Sequence, residues 1–154
     1  MHVKTLKVRL GTVMLQDVKT RNQTSSSFDI SCTTQVRIKN TNFGPYKYES
    51  TNAMFTYQGV TVGQVSIPKG EARFHSTKIV IVSVSVNSNT LTIMSTTSTT
   101  LRSELGSGVL TLNSHAKLRG KVKLMFVMKK KKAAKMNCTM PIHLSTKDVE
   151  LNCD

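Results

Sequence analysis

Acidic residues are scarce in this chain. Eight aspartates and glutamates stand against 22 lysines and arginines in 154 residues, a formal net charge of +14. None lies between Leu105 and Lys147, so acid–base chemistry by paired carboxylates has few places to be built. Long apolar runs are missing too. The longest, residues 124–128 and 79–82, fall far short of the ~20 residues a membrane-spanning helix needs. Residues 1–10 carry Lys4, Lys7 and Arg9 and no apolar core, which does not read as a secretory signal. The chain is then expected to be either cytosolic or a fragment separated from its targeting segment.

Catalytic and metal-binding motifs are equally thin. The four histidines, His2, His75, His115 and His143, have no metal-ligand spacing to one another or to a cysteine pair. No metal and no cofactor is expected. Serine is plentiful, yet no G-x-S-x-G elbow occurs. Gly106-Ser107-Gly108 resembles a piece of a phosphate loop, but neither the lysine nor the full dinucleotide glycine spacing follows. It reads as a helix stop. No tryptophan is present. An enzyme is not expected.

What the chain has is a period of two. In residues 28–39, Phe28, Ile30, Cys32, Thr34, Val36 and Ile38 alternate with Asp29, Ser31, Thr33, Gln35, Arg37 and Lys39. In residues 110–124, Leu110, Leu112, Ala116, Leu118, Val122 and Leu124 alternate with polar and basic partners. Side chains on a strand point alternately to opposite faces, so each stretch reads as a strand with one buried face. Further strands are expected over 2–10, resuming at Val13, then over 53–57, 60–67, 78–86, 134–144 and 149–153. Residues 20–27 read as a loop and 40–45 as a turn. Ser98 or Thr99 would cap one or two helical turns carrying Leu101 and Leu105, with Gly106 as the stop. The expectation is one domain over 1–154: an antiparallel β-sandwich of about seven strands with one short helix. A chain of this length buries roughly 70% of its unfolded surface and needs no metal or disulfide merely to fold.

The positive charge is concentrated. Lys117, Arg119, Lys121, Lys123, Lys129, Lys130, Lys131, Lys132 and Lys135 span 19 positions without an acid among them. Lys129 to Lys132 read as the tip of a hairpin. Such a field attracts anionic lipid, acidic polysaccharide or nucleic acid; the bland reading is a solvated face that keeps the protein soluble. Phe43, Tyr46 and Tyr48 interleave with Lys39 and Lys47. That pattern fits either a base-stacking platform or a corner where the tyrosines pack over a sheet edge. Cys138 and Cys153 are placed symmetrically about a turn near Ser145. They read either as a disulfide or as two buried thiols. Cys32 reads as core. Asn22-Gln23-Thr24 and Asn137-Cys138-Thr139 are N-glycosylation sequons, making Asn22 and Asn137 acceptor candidates.

The stretch Val36-Arg37-Ile38-Lys39-Asn40-Thr41-Asn42-Phe43-Gly44-Pro45-Tyr46-Lys47-Tyr48, then Gly59-Val60-Thr61-Val62-Gly63 and Ile67-Pro68, resembles the plant late-embryogenesis-abundant group 2 family. That family is also called hydroxyproline-rich glycoprotein or harpin-induced-like. Gly108 to Leu112, Ala116 to Val122, and Cys138 to Cys153 resemble its second half. One departure is Asn40-Thr41-Asn42, where the family usually has Asn-Pro-Asn; this is expected to loosen the turn. The resemblance implies an immunoglobulin- or fibronectin-type sandwich, the water-stress and hypersensitive-response domain, and no enzymatic activity. It implies a plasma-membrane glycoprotein setting, with the domain outside the membrane behind an N-terminal anchor that this chain lacks. Such a setting would favour the Cys138–Cys153 bond and a glycan on Asn22.

Three functions follow as expectations. The first is a stress or defence module whose basic face meets an anionic membrane surface or acidic polysaccharide. The second is a soluble cytoplasmic protein protective in desiccation. The third is a non-specific nucleic-acid binder, the least expected. A monomer with protein partners of unknown identity completes the reading.

Overall fold

A computed structural model describes residues 3–22, 26–91, 95–124 and 129–154. The three long alternating segments become the frame. Strand β1 (Lys7–Asn22) pairs antiparallel with β2 (Ser26–Asn40). After β3 (Tyr46–Tyr48), β4 (Thr51–Tyr57), β5 (Val60–Ile67) and β6 (Gly70–Ala72), β7 (Ser76–Asn87) returns to the other edge of β2. These three strands form the smaller sheet.

The larger sheet has eight strands. Its centre is the pair β8 (Val109–Lys123) and β9 (Lys129–His143). β3 and β4 share the other edge of β8, one at each end: Tyr48 opposes Gly120, and Phe55 opposes Ser114. β6 pairs with β3, and β5 with β4. Two short strands, β10 (Asp148–Val149) and β11 (Asn152–Cys153), lie on β9. Every residue on the expected inner side of β2, from Phe28 to Ile38, is buried. It meets Leu110, Leu112, Leu118, Met136, Met140 and Ile142 from the larger sheet within one core. Each such aliphatic or aromatic side chain contributes about 1.5–3 kcal/mol on burial.

The sandwich is as expected, and the elements differ in detail. Eleven strands are present among the described residues, because Tyr46–Tyr48, Gly70–Ala72 and the split C-terminal pair add short pieces. Residues 20–22 and 26–27 are ladder rather than loop; 23–25 lie outside the described residues. Arg21 opposes Ser27 and Asn22 opposes Ser26, so the ladder runs past the core on backbone bonding alone, helped by Ser26 Oγ donating to Asn22 Oδ1 at 2.8 Å. Lys129 to Lys132 are not a hairpin tip but the first residues of β9, paired with Lys123 to Gly120. The segment expected to extend β8, 125–128, lies outside the described residues. Helix α1 (Ser95–Ser107) is 13 residues long, not one or two turns. Its stop is Gly108, not Gly106: Gly108 holds φ +85, which glycine adopts without steric penalty. The Gly108 N–H donates to Glu104 O at 3.0 Å. Buried Leu101 anchors the helix to the core.

One end of the sandwich is tied by two buried asparagines. Asn40 Nδ2 donates to Gly44 O and Ala72 O, both at 3.0 Å, and to Arg73 O at 3.3 Å. Asn40 Oδ1 accepts from the Asn42 N–H at 3.0 Å and from Asn42 Nδ2 at 3.1 Å. Thr41 therefore does not loosen the turn, because the flanking amides carry it. The same end holds the N-terminal segment through Lys4, the 73–75 loop through His75 N donating to Asn42 O, and the end of β8 through Lys123 N donating to Pro45 O at 3.0 Å.

Candidate functional site

The basic residues are sorted by the register of β8 on β9. Lys117 opposes Lys135, Arg119 opposes Ala133, Lys121 opposes Lys131, and Lys123 opposes Lys129. Directly opposed residues share a face, so these seven cations stand on the outer side of the larger sheet. Lys130 and Lys132 do not join them. They oppose Val122 and Gly120 and alternate onto the side of Ala134 and Met136, at the end of β9 where its own inward residues cease to be buried.

A residue that the sequence reading gave to a platform or corner completes the array. Lys47, on β3, opposes Lys121, so Lys47, Lys121 and Lys131 form one row across three strands. Neighbouring strands lie ~4.8 Å apart, and alternate residues along a strand ~6.8 Å apart. Both spacings are below the Debye length of about 10 Å at 0.1 M salt, so the charges act together. A groove of about 640 Å³ is lined by most of these cations together with Gly120, Ala133, Tyr48, Glu49 and, from the other side of β9, Lys132. Two acids border it: Glu71 opposes Lys47 on β6, and the Glu49 N–H donates to Arg119 O at 2.9 Å. Among the described residues no ion pair involves any of these cations; the lysine salt bridge is Lys19–Asp17 at 3.6 Å, and His143 Nε2 is hydrogen-bonded to Glu150 Oε1 at 3.1 Å.

The tyrosines face the other way. Tyr46 and Tyr48 are buried beneath the basic row and stack at 6.0 Å. The Tyr46 hydroxyl donates to Lys132 O at 2.8 Å. Burial pushes the Tyr46 phenol up to about 12 and raises that of Tyr48. β3 is thus an internal strand, and its tyrosines form neither a base-stacking platform nor a corner over an edge. They make a stiff floor. The period of two through Tyr46, Lys47 and Tyr48 was the signal that would have put Lys47 outside and both rings inside.

Cys138 and Cys153 oppose each other in the β9–β11 ladder and are joined, with Cα atoms 4.1 Å apart. Cys32 is a buried free thiol, pushed up to about 11 by burial. Of the sequon asparagines, Asn22 uses Nδ2 to donate to Arg102 O at 3.2 Å; Gln23 and Thr24 lie outside the described residues. Asn137 is exposed on the outer face, with Oδ1 accepting from His115 Nδ1 at 2.9 Å. Toward the other end of β8, Tyr57 Oη, one Glu104 carboxylate oxygen and Ser114 Oγ are buried without a hydrogen-bond partner among the described residues. Burial, then the neighbouring Glu104 carboxylate, raises the Tyr57 phenol above its ordinary value. Among the described residues no group of three or more His, Cys, Asp or Glu is placed to hold a metal ion. No helix of the described residues is long and apolar enough to cross a membrane.

The arrangement defines an antiparallel β-sandwich with a cationic outer face on its larger sheet. A family model described as late embryogenesis abundant protein matches residues 35–140, and the chain belongs to that family, group 2 type. A late-embryogenesis-abundant protein of Arabidopsis thaliana is 29% identical over 131 residues, covering 84% of this chain and 59% of the relative. The chain thus spans about 59% of that relative's length. A solved Archaeoglobus fulgidus protein shares 12% identity at TM-score 0.39, covering 87% of this chain and 95% of its own. A solution structure from Arabidopsis thaliana shares 13% at TM-score 0.40, covering 83% and 79%. The family is stress-associated.

Proposed function

We propose that this chain is a non-catalytic stress-associated module that works against an anionic surface, held there by the outer face of β3, β8 and β9. On this reading the module works outside the plasma membrane, beside acidic lipid headgroups and acidic wall polysaccharide. The carrying observation is the row Lys47, Lys121 and Lys131, flanked by the opposed pairs Lys123–Lys129 and Lys117–Lys135. Like charges directly opposite one another on a sheet destabilise it. A multivalent anion seated across the row removes that penalty. Near an anionic membrane each lysine or arginine contributes about 1 kcal/mol, weakened by salt.

The test is co-sedimentation with vesicles and retention on immobilised polygalacturonate, at low and high salt. Binding to anionic vesicles or to the polysaccharide, lost on adding salt, is expected. Equal affinity for neutral and anionic vesicles, with no retention on the polysaccharide, overturns the proposal.

A further inference from the structure

The same end of the sandwich that the buried asparagines tie together presents two phenylalanines to solvent. Phe43, in the turn after β2, is 76% exposed, and Phe74, in the loop before β7, is 61% exposed. Their loops are adjacent: the Phe43 ring sits edge-on to the ring of His75, the residue after Phe74, at 4.6 Å, and the His75 N–H is bonded to the Asn42 carbonyl. Rings this large are normally covered, and exposed apolar groups held together on a rigid turn mark a contact site. The turn is rigid because Asn40 and Asn42 brace it from within.

Around these rings the charge is positive. Lys4, Lys39, Arg73 and Lys123 are exposed at this end of the two sheets, and Lys129 opposes Lys123. The acids gather elsewhere. Asp17, Asp29, Glu104, Asp148 and Glu150 lie toward the other end, on the far parts of β1 and β2, on α1, and beside the β9 terminus, and Asp154 lies beside the middle of β9, its N–H donating to Asn137 O. Glu71 and Glu49 are the acids nearest the rings, on the flank of β6 and β3. The molecule is therefore polarised along its long axis, with an apolar point inside a cationic collar at one pole. Apolar rings that enter the headgroup layer, combined with attraction of the collar to lipid phosphates, constitute the chemistry of interfacial membrane binding. A soluble polysaccharide would match the collar but leave the rings in water.

We infer that this pole docks end-on on an anionic lipid bilayer, with Phe43 and Phe74 inserted among the headgroups. The inference rests on the anionic-surface reading above, selects its lipid form, and narrows the contact from the whole basic face to its Lys123–Lys129 end. It also fixes an orientation: the strands stand away from the membrane, and the middle of the basic face, at Arg119 and Ala133, remains in water.

The absence of tryptophan allows a direct test. Phe43→Trp, Phe74→Trp and Ala133→Trp each place one fluorophore in the full chain. The vesicles contain phosphatidylcholine with or without phosphatidylserine, and lipid-borne nitroxide is the quencher. Blue-shifted, quenched emission from Phe43→Trp and Phe74→Trp on serine-containing vesicles, with Ala133→Trp unquenched, is expected. Quenching at Ala133→Trp alone overturns the end-on docking and leaves the anionic-surface reading standing. Absence of any association with vesicles overturns the docking, and absence of polygalacturonate retention as well removes both. A second variant, Phe43→Ser with Phe74→Ser, removes two exposed rings and the edge contact to His75, leaves the core and the Asn40–Asn42 bonds in place, and is checked for an unchanged circular-dichroism spectrum. It is expected to lose about tenfold in partitioning per ring, since partial burial of a phenylalanine is worth about 1.4 kcal/mol. Unchanged partitioning of that variant also overturns the docking.

Discussion

Asn42 clasps Lys4 on both sides of one backbone unit. The Lys4 N–H donates to Asn42 Oδ1 at 2.7 Å, and Asn42 Nδ2 donates to Lys4 O at 3.1 Å. A segment outside any strand is thereby held like a strand, and its Val3 and Leu6 are buried in the core.

Truncating this clasp is expected to be severe for a polar residue. Asn42→Ala removes three side-chain bonds and leaves partly buried backbone groups unpaired, each worth about 1–3 kcal/mol. A loss of about 2–4 kcal/mol in denaturant unfolding is expected, with faster hydrogen exchange over residues 3–6. A loss under 0.5 kcal/mol would show that the clasp is incidental.

Reduction of the Cys138–Cys153 bond is expected to lower stability by about 3 kcal/mol, the chain-entropy value for closing a ~15-residue loop. Equilibrium unfolding with and without reductant measures it. Cys32, buried and with its thiol pushed up to about 11, is expected to stay unlabelled by thiol reagents until the chain unfolds. Labelling of the native protein at neutral pH would contradict its place in the core.

Stability is expected to fall at alkaline pH. The Tyr46 phenol is raised by burial from 10.0 to about 12, and Tyr48 and Tyr57 are raised as well. Above pH 10 the unfolded chain releases those protons while the folded chain keeps them. The folded state then binds more protons, and unfolding free energy drops with rising pH through the folded value. Tyr46→Phe, which cannot ionise, should show a shallower decline between pH 10 and 12 than the parent protein. Comparing the two cancels the titration of all other groups. Parallel declines would refute the assignment.

Lys121 stands between Lys47 and Lys131. Replacing it with glutamine removes two like-charge contacts, so Lys121→Gln should stabilise the fold by about 0.5 kcal/mol at low salt. The gain should vanish at high salt, and polyanion affinity should fall. Thermal melts at two salt concentrations, alongside retention on an anionic column, read both effects. Destabilisation at low salt would mean the row is not under repulsive load.

The frame of the fold was legible because a one-residue error in alternation would turn a whole strand inside out. Phe28 to Ile38 left no second option, and the pairing of Cys138 with Cys153 follows the same symmetry about their turn. The basic face was legible as a run of residues but not as a surface. Lys130 and Lys132 interrupt the alternation of Lys129 and Lys131, so four consecutive lysines read as a tip when they are two faces of one strand. Lys47 belongs to the array only through a pairing with a strand more than seventy positions away, which no local pattern carries. The Asn40–Asn42 hub was hidden for the same reason: a turn sequence announces a bend, while the carbonyls of Gly44, Ala72 and Arg73 that it satisfies come from the tertiary fold. Helix α1 was legible around Leu101 and Leu105 but not at its full length, because its serine and threonine run has weak helical propensity and is held by Leu101 and the Gly108 stop.

The two final strands have only four residues between them, yet they lie along β9 and one of them is covalently fastened there. A sheet margin with bare amides invites the margin of another molecule. A fastened cover of this kind occupies the margin of β9 from Cys138 to His143, and a reducing environment would unlatch it.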